Sequence, residues 1–141
     1  MKFENHTLEI KSSHPLEAID ITEEVRGFAG RSKIKNGILI VSSSHTTTAL
    51  VINEKCDQLQ KDMIDFLTRM APPQGDYRHN KVAVDGRPNT HSHLLSLFMS
   101  SQQVVVLKSG DLQLGTWQSV FLIELDGPRD LRKVNLSLMG E

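Results

Sequence analysis

The alternation of hydrophobic and polar positions predicts several β-strands. Ile38–Val41 and Val104–Leu107 are apolar runs rich in β-branched residues, which is typical of buried strands. Lys133–Leu138 alternates cleanly between apolar and polar side chains, and Thr7–Ile10 alternates weakly, as an edge strand does. Thr116–Leu125 shows a mixed alternation and also predicts a strand. The chain is therefore expected to be rich in β-structure.

Two of these segments combine a strand pattern with chemically active side chains. A strand over residues 42–53 follows from its β-branched residues, and it places His45 and Asn53 on the same face. In the strand at 116–125, Trp117 is expected on the face that packs into the hydrophobic core, where its large side chain would serve as an anchor. Gln118 and Glu124 lie on the opposite face, where they either bond a ligand or belong to a solvated sheet surface.

Helical spacing predicts three short helices, over Glu23–Gly30, Asp57–Arg69 and His91–Met99. The core stripe expected on the last of these consists of Leu94, Leu95, Leu97 and Phe98. Between the second and third helices, Gln74–Asn89 is a long polar loop, and loops of this length in compact domains are often functional. Strands and helices without a regular βα alternation indicate the α+β class.

Composition narrows the class of protein. The 141 residues suit one domain, residues 1–141, and 38% of them are hydrophobic, which is enough to form a core. A formal net charge of -1 argues against a nucleic-acid partner, and no apolar run is long enough to cross a membrane. A single cysteine, Cys56, cannot form an internal disulfide, so we expect a cytoplasmic protein.

Six histidines are the one compositional oddity. Four of them lie in polar segments: His45, His79, His91 and His93. Neutral imidazole is the commonest ligand of transition metals, and a zinc-like centre is one interpretation of this set. The alternative for His91 and His93 is that one caps a helix while the other is a packed, hydrogen-bonded side chain. Residue spacing alone leaves both interpretations open.

Two arginines follow a turn near the end of the chain. Asp126-Gly127-Pro128-Arg129 has turn chemistry, because glycine tolerates positive φ and proline presets φ. Arg129 and Arg132 suit bidentate binding of phosphate or carboxylate oxygens. They are equally able to pair with Asp126 or Asp130.

Six motifs occur in the order seen in one known family. They are Ser44-His45-Thr46-Thr47, Asn53-Glu54, Tyr77-Arg78-His79-Asn80, His91-Ser92-His93-Leu94, Leu114-Gly115-Thr116-Trp117-Gln118 and Glu124-Leu125-Asp126-Gly127-Pro128-Arg129. The chain resembles the YjbQ-like family, often named secondary thiamine-phosphate synthase. The resemblance runs from about Glu4 to Leu138. The segment Val82–Asn89 departs from the family's usual acidic, glycine-rich loop, and Asp130-Leu131 separates Arg129 from Arg132.

The resemblance implies a two-sheet β-sandwich with about three short helices packed against it, assembled as a homotrimer. It also implies a polar pocket near the subunit boundaries, where a metal is expected. The predicted catalytic residues are His45, Glu124 and Arg129, and the predicted metal ligands are His45, His79, His91 and His93. The predicted substrate-binding residues are Thr46, Thr47, Asn53, Lys108, Gln118 and Arg132.

The function that the resemblance implies is that of a small-molecule transferase. It would join a hydroxymethylpyrimidine diphosphate to a thiazole phosphate, with assistance from a divalent metal ion. The histidines suit a zinc-like ion, whereas a diphosphate substrate suits Mg²⁺. The alternatives are a non-catalytic trimer that binds a metal or an anionic metabolite, and a structural trimer whose polar motifs join its subunits. In the first two hypotheses the partner is a small phosphorylated or anionic molecule.

Overall fold

The computed structural model describes all 141 residues. Its eight strands are β1 (Lys2–Ile10), β2 (Glu17–Asp20), β3 (Gly37–Ser43), β4 (Thr48–Glu54), β5 (Gln102–Lys108), β6 (Asp111–Leu112), β7 (Gln118–Glu124) and β8 (Arg132–Gly140). Its helices are α1 (Thr22–Arg31), α2 (Asp57–Met70) and α3 (Thr90–Ser96), with a single 3₁₀ turn at His79–Lys81. None of the helices is long and apolar enough to span a membrane.

The larger sheet has five strands in the order β1-β8-β3-β5-β6, all antiparallel. Strand β1 is an edge strand as predicted, although it is longer than its weak pattern indicates. The β5–β6 hairpin turns at Ser109 and Gly110, both with positive φ. At the start of β3, a Cβ on Gly37 would lie 2.1 Å from the carbonyl oxygen of Met139, so only glycine allows β3 and β8 to approach this closely.

The smaller sheet has three strands in the order β2-β7-β4, and both of its faces pack against other elements. One face packs against the larger sheet and α1 through a cluster that includes Leu50, Val120 and Leu122. The opposite face carries Phe121 and Ile123 in a second cluster, with residues of α2 and α3. The result is the α+β sandwich with three short helices that the resemblance implied.

Three sequence-based expectations are wrong, for reasons of tertiary context. His45 lies in the loop between β3 and β4, because β4 begins only at Thr48. Trp117 precedes β7 and is 72% exposed, so it is not a core anchor. Helix α3 ends at Ser96, which leaves Leu97 and Phe98 exposed.

Candidate functional site

A polar cavity of about 450 Å³ lies where several loops meet at one end of the sandwich. The β3–β4 loop, the long loop before α3, α3 itself and the segment joining β7 to β8 all contribute to it. Its lining residues are His45, Thr46, Thr47, His79, Val84, Asp85, Asn89, His93, Arg129 and Arg132. We call this the basic cavity, since two arginines and three histidines line it.

Arg132, the first residue of β8, is fixed by a buried ion pair. Its Nε lies 2.7 Å from Oε2 of Glu124 in β7, and its Nη2 donates both to Oε1 of Glu124 and to Oγ1 of Thr47. Glu124 is fully buried, and its carboxylate also accepts hydrogen bonds from the Ser12 hydroxyl and the Asp126 backbone amide. Burial raises the pKa of Glu124, but these hydrogen bonds outweigh it and the pKa is held below its ordinary value. The carboxylate is thus ionised and holds Arg132 in place.

Arg129 is fixed by a second carboxylate, that of Asp126. Its Nη2 lies 2.7 Å from Oδ2 of Asp126, and its Nε donates to the Asp126 carbonyl. Asp126 also accepts from Arg87 and from the Asn89 amide, at 2.9 Å each. Burial raises the pKa of Asp126, and these donors reverse the effect, leaving the pKa below its ordinary value. One carboxylate therefore orients two guanidinium groups, of which only that of Arg129 lines the basic cavity.

The two arginines of the cavity retain free hydrogen-bond donors. Glu124 and Thr47 bind only Nε and Nη2 of Arg132, and Asp126 binds only Nε and Nη2 of Arg129. In both side chains the Nη1 amino group has no protein partner. Guanidinium groups held in this way are preorganised to bind an anion, because the side-chain entropy has already been lost on folding.

A hydrogen bond from the backbone defines the tautomer of His45. Its Nε2 accepts a hydrogen bond of 3.0 Å from the backbone amide of Lys133. Burial lowers the pKa of His45, and the charge of Arg132 lowers it further, so the ring is neutral at pH 7. A neutral imidazole that accepts at Nε2 must carry its proton on Nδ1. The ring nitrogen of His45 that has no protein partner, Nδ1, is therefore a hydrogen-bond donor rather than an acceptor.

The other predicted metal ligands do not form one cluster. The rings of His79 and His93 make an edge-to-face contact with centroids 5.2 Å apart, and both line the basic cavity. His91 is buried and lines a different cavity, beside Arg87 and Asp126. No group of three or more His, Cys, Asp or Glu side chains is placed to hold a metal ion. The donor arrangement thus does not fit the predicted four-histidine centre.

The remaining predicted residues divide into two groups. Thr46 and Thr47 line the basic cavity, and their role in substrate binding stays a prediction. Asn53, Lys108 and Gln118 are exposed elsewhere and do not line it; the Gln118 side chain instead accepts from the backbone amide of Gly115. Glu124 does not line the cavity; it contacts Arg132, which does.

Sequence reasoning missed Asn89 as a site residue, because the sequence shows it only as the last residue of the long polar loop. Its Nδ2 donates to Asp126 at 2.9 Å, which fixes the amide and leaves Oδ1 as a buried acceptor without a partner. Arg87 was missed as well, since nothing in the sequence pairs it with Asp126, 39 residues away. A buried, unpartnered acceptor in a cavity wall indicates that a ligand or water completes it.

Comparison with known proteins gives a consistent result across sequence and structure. The family model described as "UPF0047 protein YjbQ-like" matches residues 6–141. A UPF0047 protein of Methanothermobacter thermautotrophicus is 40% identical over 141 residues, covering 100% of this chain and 95% of that protein. The UPF0047 protein YugU of Bacillus subtilis is 36% identical over 136 residues, covering 95% of this chain and 98% of YugU.

The fold is likewise similar to that of a solved structure. The crystal structure of a YbjQ-like protein of unknown function from Sulfolobus solfataricus has a TM-score of 0.94 and 33% identity, with 99% of each chain covered. These names identify a family and a fold.

Proposed function

We propose that this chain, which belongs to the UPF0047 YjbQ-like family, is a small-molecule transferase acting on phosphorylated metabolites. The reaction we propose is the formation of thiamine phosphate from a hydroxymethylpyrimidine diphosphate and a thiazole phosphate. The resemblance of the sequence motifs supplies this particular reaction. The geometry of the basic cavity supports the more general part, which is recognition of a phosphate or diphosphate group.

The observation that carries the proposal is the pair of fixed guanidinium groups. Arg129 and Arg132 are each oriented by an ionised carboxylate, and each keeps an Nη1 amino group free. A phosphate group offers several acceptor oxygens, which match planar donors of this kind. Asp85 also lines the cavity, so the three arginines Arg87, Arg129 and Arg132 are balanced by Glu124, Asp126 and Asp85. The orientation of the free guanidinium donors, rather than a net charge, therefore supports the proposal.

In the proposed reaction, the thiazole nitrogen attacks the methylene carbon of the pyrimidine. A carbon–nitrogen bond forms as the carbon–oxygen bond to the diphosphate breaks, and the diphosphate departs with the electron pair. Negative charge therefore grows on oxygen in the transition state. Donors placed beforehand around that oxygen stabilise the transition state more than the ground state.

His45 and Glu124 have different parts in this proposal. His45 donates a hydrogen bond from Nδ1 to the departing group, since its Nε2 is held by Lys133. Glu124 is a positioning residue, because its carboxylate binds Arg132 and is fully buried. We therefore assign direct contact with the diphosphate to Arg129, Arg132 and His45.

The test is formation of thiamine phosphate by the purified protein and by the Arg129→Met variant. Loss of one preorganised donor lowers the rate by about 10²–10³-fold. Arg129 is partly exposed, so this variant is expected to fold. Absence of product above the buffer blank with the unaltered protein would contradict the proposed reaction.

The specific alternative is a protein that binds an anionic metabolite without turning it over. The same free Nη1 groups support it, because binding alone requires nothing more. It predicts that inorganic diphosphate raises the melting temperature in a concentration-dependent way while no product forms. The product assay therefore separates the two functions.

We also propose that the chain forms a homotrimer in the cytoplasm. Exposed apolar residues on neighbouring strands of the larger sheet support self-association: Ile38 of β3 pairs with Val106 of β5, and Val104 lies on the same face. Light scattering is expected to give three times the chain mass of 15.8 kDa. A mass equal to that of one chain would contradict the trimer.

A further inference from the structure

The basic cavity opens beside a second cavity of about 550 Å³ that has a different chemical character. The two share His45, Thr46 and His93, so these residues form the border between them. The second cavity extends from that border along the end of α3 and the β3–β4 loop. We call it the hydroxyl cavity.

Six of its ten lining residues carry a hydroxyl group, Leu97 and Met99 add apolar surface, and no Lys, Arg, Asp or Glu side chain lines it. Its serine and threonine residues are Ser43, Ser44, Thr46, Thr48, Ser96 and Ser101. Three of these hydroxyls are already engaged: Ser43 and Thr48 bond each other at 2.7 Å, and Ser96 donates to the His93 carbonyl at 2.8 Å. The hydroxyls of Ser44, Thr46 and Ser101 have no protein partner and are free to bind a ligand.

We infer that the hydroxyl cavity is a second subsite, which takes the neutral, hydroxylated part of a ligand whose phosphate lies in the basic cavity. This inference rests on the general part of the proposed function, which assigns a phosphate group to the basic cavity. The ligand class it names is that of phosphate esters whose neutral part is a polyol, a sugar or a comparably polar ring. Hydroxyls both donate and accept, and therefore match neutral hydroxylated groups better than charged ones. The contrast in charge across the border sets the orientation of the ligand.

The border residues suit the ester linkage of such a ligand. His45 offers an Nδ1–H donor there, and the His93 side chain has no hydrogen-bond partner in the chain. An ester oxygen between the two cavities would lie within the reach of both rings.

Calorimetric titration with inorganic phosphate, ribose and ribose 5-phosphate tests the inference. We expect ribose 5-phosphate to bind at least about tenfold more tightly than inorganic phosphate, because its hydroxyls make additional hydrogen bonds in the hydroxyl cavity. Ribose alone is expected to bind weakly, since it lacks the group that the arginines hold.

Two variants narrow the hydroxyl cavity without altering an arginine. Ser101→Trp fills it from the turn before β5, and Ser44→Trp fills it from the β3–β4 loop. Both side chains are exposed, so either variant alone is sufficient if the other fails to fold. Gln102→Trp is the matched control, because Gln102 is exposed next to Ser101 but lines neither cavity.

The expected result is that the narrowed variants bind ribose 5-phosphate no better than phosphate, with phosphate affinity unchanged within about twofold. The control should keep the full preference. Phosphate binding without any preference for the ester, or a preference that survives in both narrowed variants, would overturn this inference alone. Absence of binding of all phosphates to the unaltered protein would overturn the proposed function and this inference together.

Discussion

His45 determines what kind of chemistry the basic cavity supports. A metal ligand needs a bare lone pair facing the ion, whereas the Nε2 lone pair of His45 is occupied by the Lys133 amide. Its remaining nitrogen carries the proton and acts as a donor. This arrangement suits an anionic ligand, as the two neighbouring arginines do.

The tautomer of His45 can be observed directly. We predict the Nδ1–H form at pH 7.5, because the Lys133 amide donates to Nε2 and the pKa lies below its ordinary value. Long-range ¹H–¹⁵N correlation spectra of the imidazole distinguish the two tautomers, and a His45→Gln sample assigns the signals. An Nε2–H form would contradict the donor role and would reopen metal binding at Nδ1.

Glu124 and Arg132 form a pair whose partners depend on each other. Replacing Glu124 by Gln leaves the Arg132 guanidinium buried without its counter-charge, and such changes cost about 3–5 kcal/mol of unfolding free energy. Urea unfolding of Glu124→Gln measures this cost. The double variant Glu124→Gln/Arg132→Met is expected to recover much of it, since no unpaired charge remains. Additive losses would contradict the coupling.

The turn between β7 and β8 positions Arg129, and it requires glycine at one place. A Cβ on Gly127 would lie 2.0 Å from the His14 carbonyl oxygen and 2.8 Å from Cγ of Glu124. We predict that Gly127→Ala lowers the melting temperature and weakens diphosphate binding, because the backbone must move at Arg129.

A matched glycine replacement serves as the control for that prediction. A Cβ on Gly30, in helix α1, meets nothing within 4 Å, so Gly30→Ala is expected to be neutral or to stabilise by about 0.5–1 kcal/mol. Equal effects of the two variants in thermal unfolding would contradict the steric argument.

The elements were predictable where a local pattern determined them. The apolar runs of β3 and β5 and the amphipathic spacing of α2 correspond closely to the observed elements. The alternation in β7 was misleading, because that strand is central in a sheet covered on both faces, so Val120–Asp126 are all buried. An alternating pattern assumes that one face of a strand is exposed to solvent. In β7 the second face is covered as well, and this packing is seen only in the tertiary structure.

The residue types of the site were predictable from the sequence, but the hydrogen bonds and ion pairs between them were not. His45 and Arg129 were identified from motifs, whereas the pairing of Asp126 with Arg87 and Asn89 joins positions nearly 40 residues apart in sequence. Glu124 and Arg132 lie only eight residues apart, yet their contact depends on the turn that brings β8 back beside β7. Such contacts follow from topology rather than from local spacing.

At the scale of the whole molecule, the buried ionisable groups predict how stability depends on pH. The pKa values of His45 and His91 are lowered, chiefly by burial, so below pH 6.5 the unfolded chain binds more protons than the folded one. The pKa values of Glu124 and Asp126 are also lowered, by their hydrogen-bonded donors, which outweigh burial. Their contribution is complete above pH 4.5 and is lost as the pH falls through the folded-state values.

Stability is therefore expected to decrease in two stages on acidification, first below pH 6.5 and then below pH 4.5. Urea midpoints measured between pH 7.5 and 3.5 test this. The variant His91→Phe should flatten the upper stage, since it removes one of the two groups responsible. A midpoint that stays constant or rises between pH 7 and pH 5 would contradict the assignment.

The central claim is that the guanidinium of Arg129, held by Asp126, binds the anionic part of the ligand. Calorimetric titration of inorganic diphosphate into the unaltered protein, Arg129→Met and Arg87→Met tests it most directly, because both arginines bond Asp126 but only Arg129 lines the basic cavity. We predict at least about tenfold weaker binding for Arg129→Met, from the loss of charge-assisted hydrogen bonds worth about 1.5–3 kcal/mol, and a much smaller effect for Arg87→Met. Equal affinities in all three proteins, or no binding to the unaltered protein, would contradict the account.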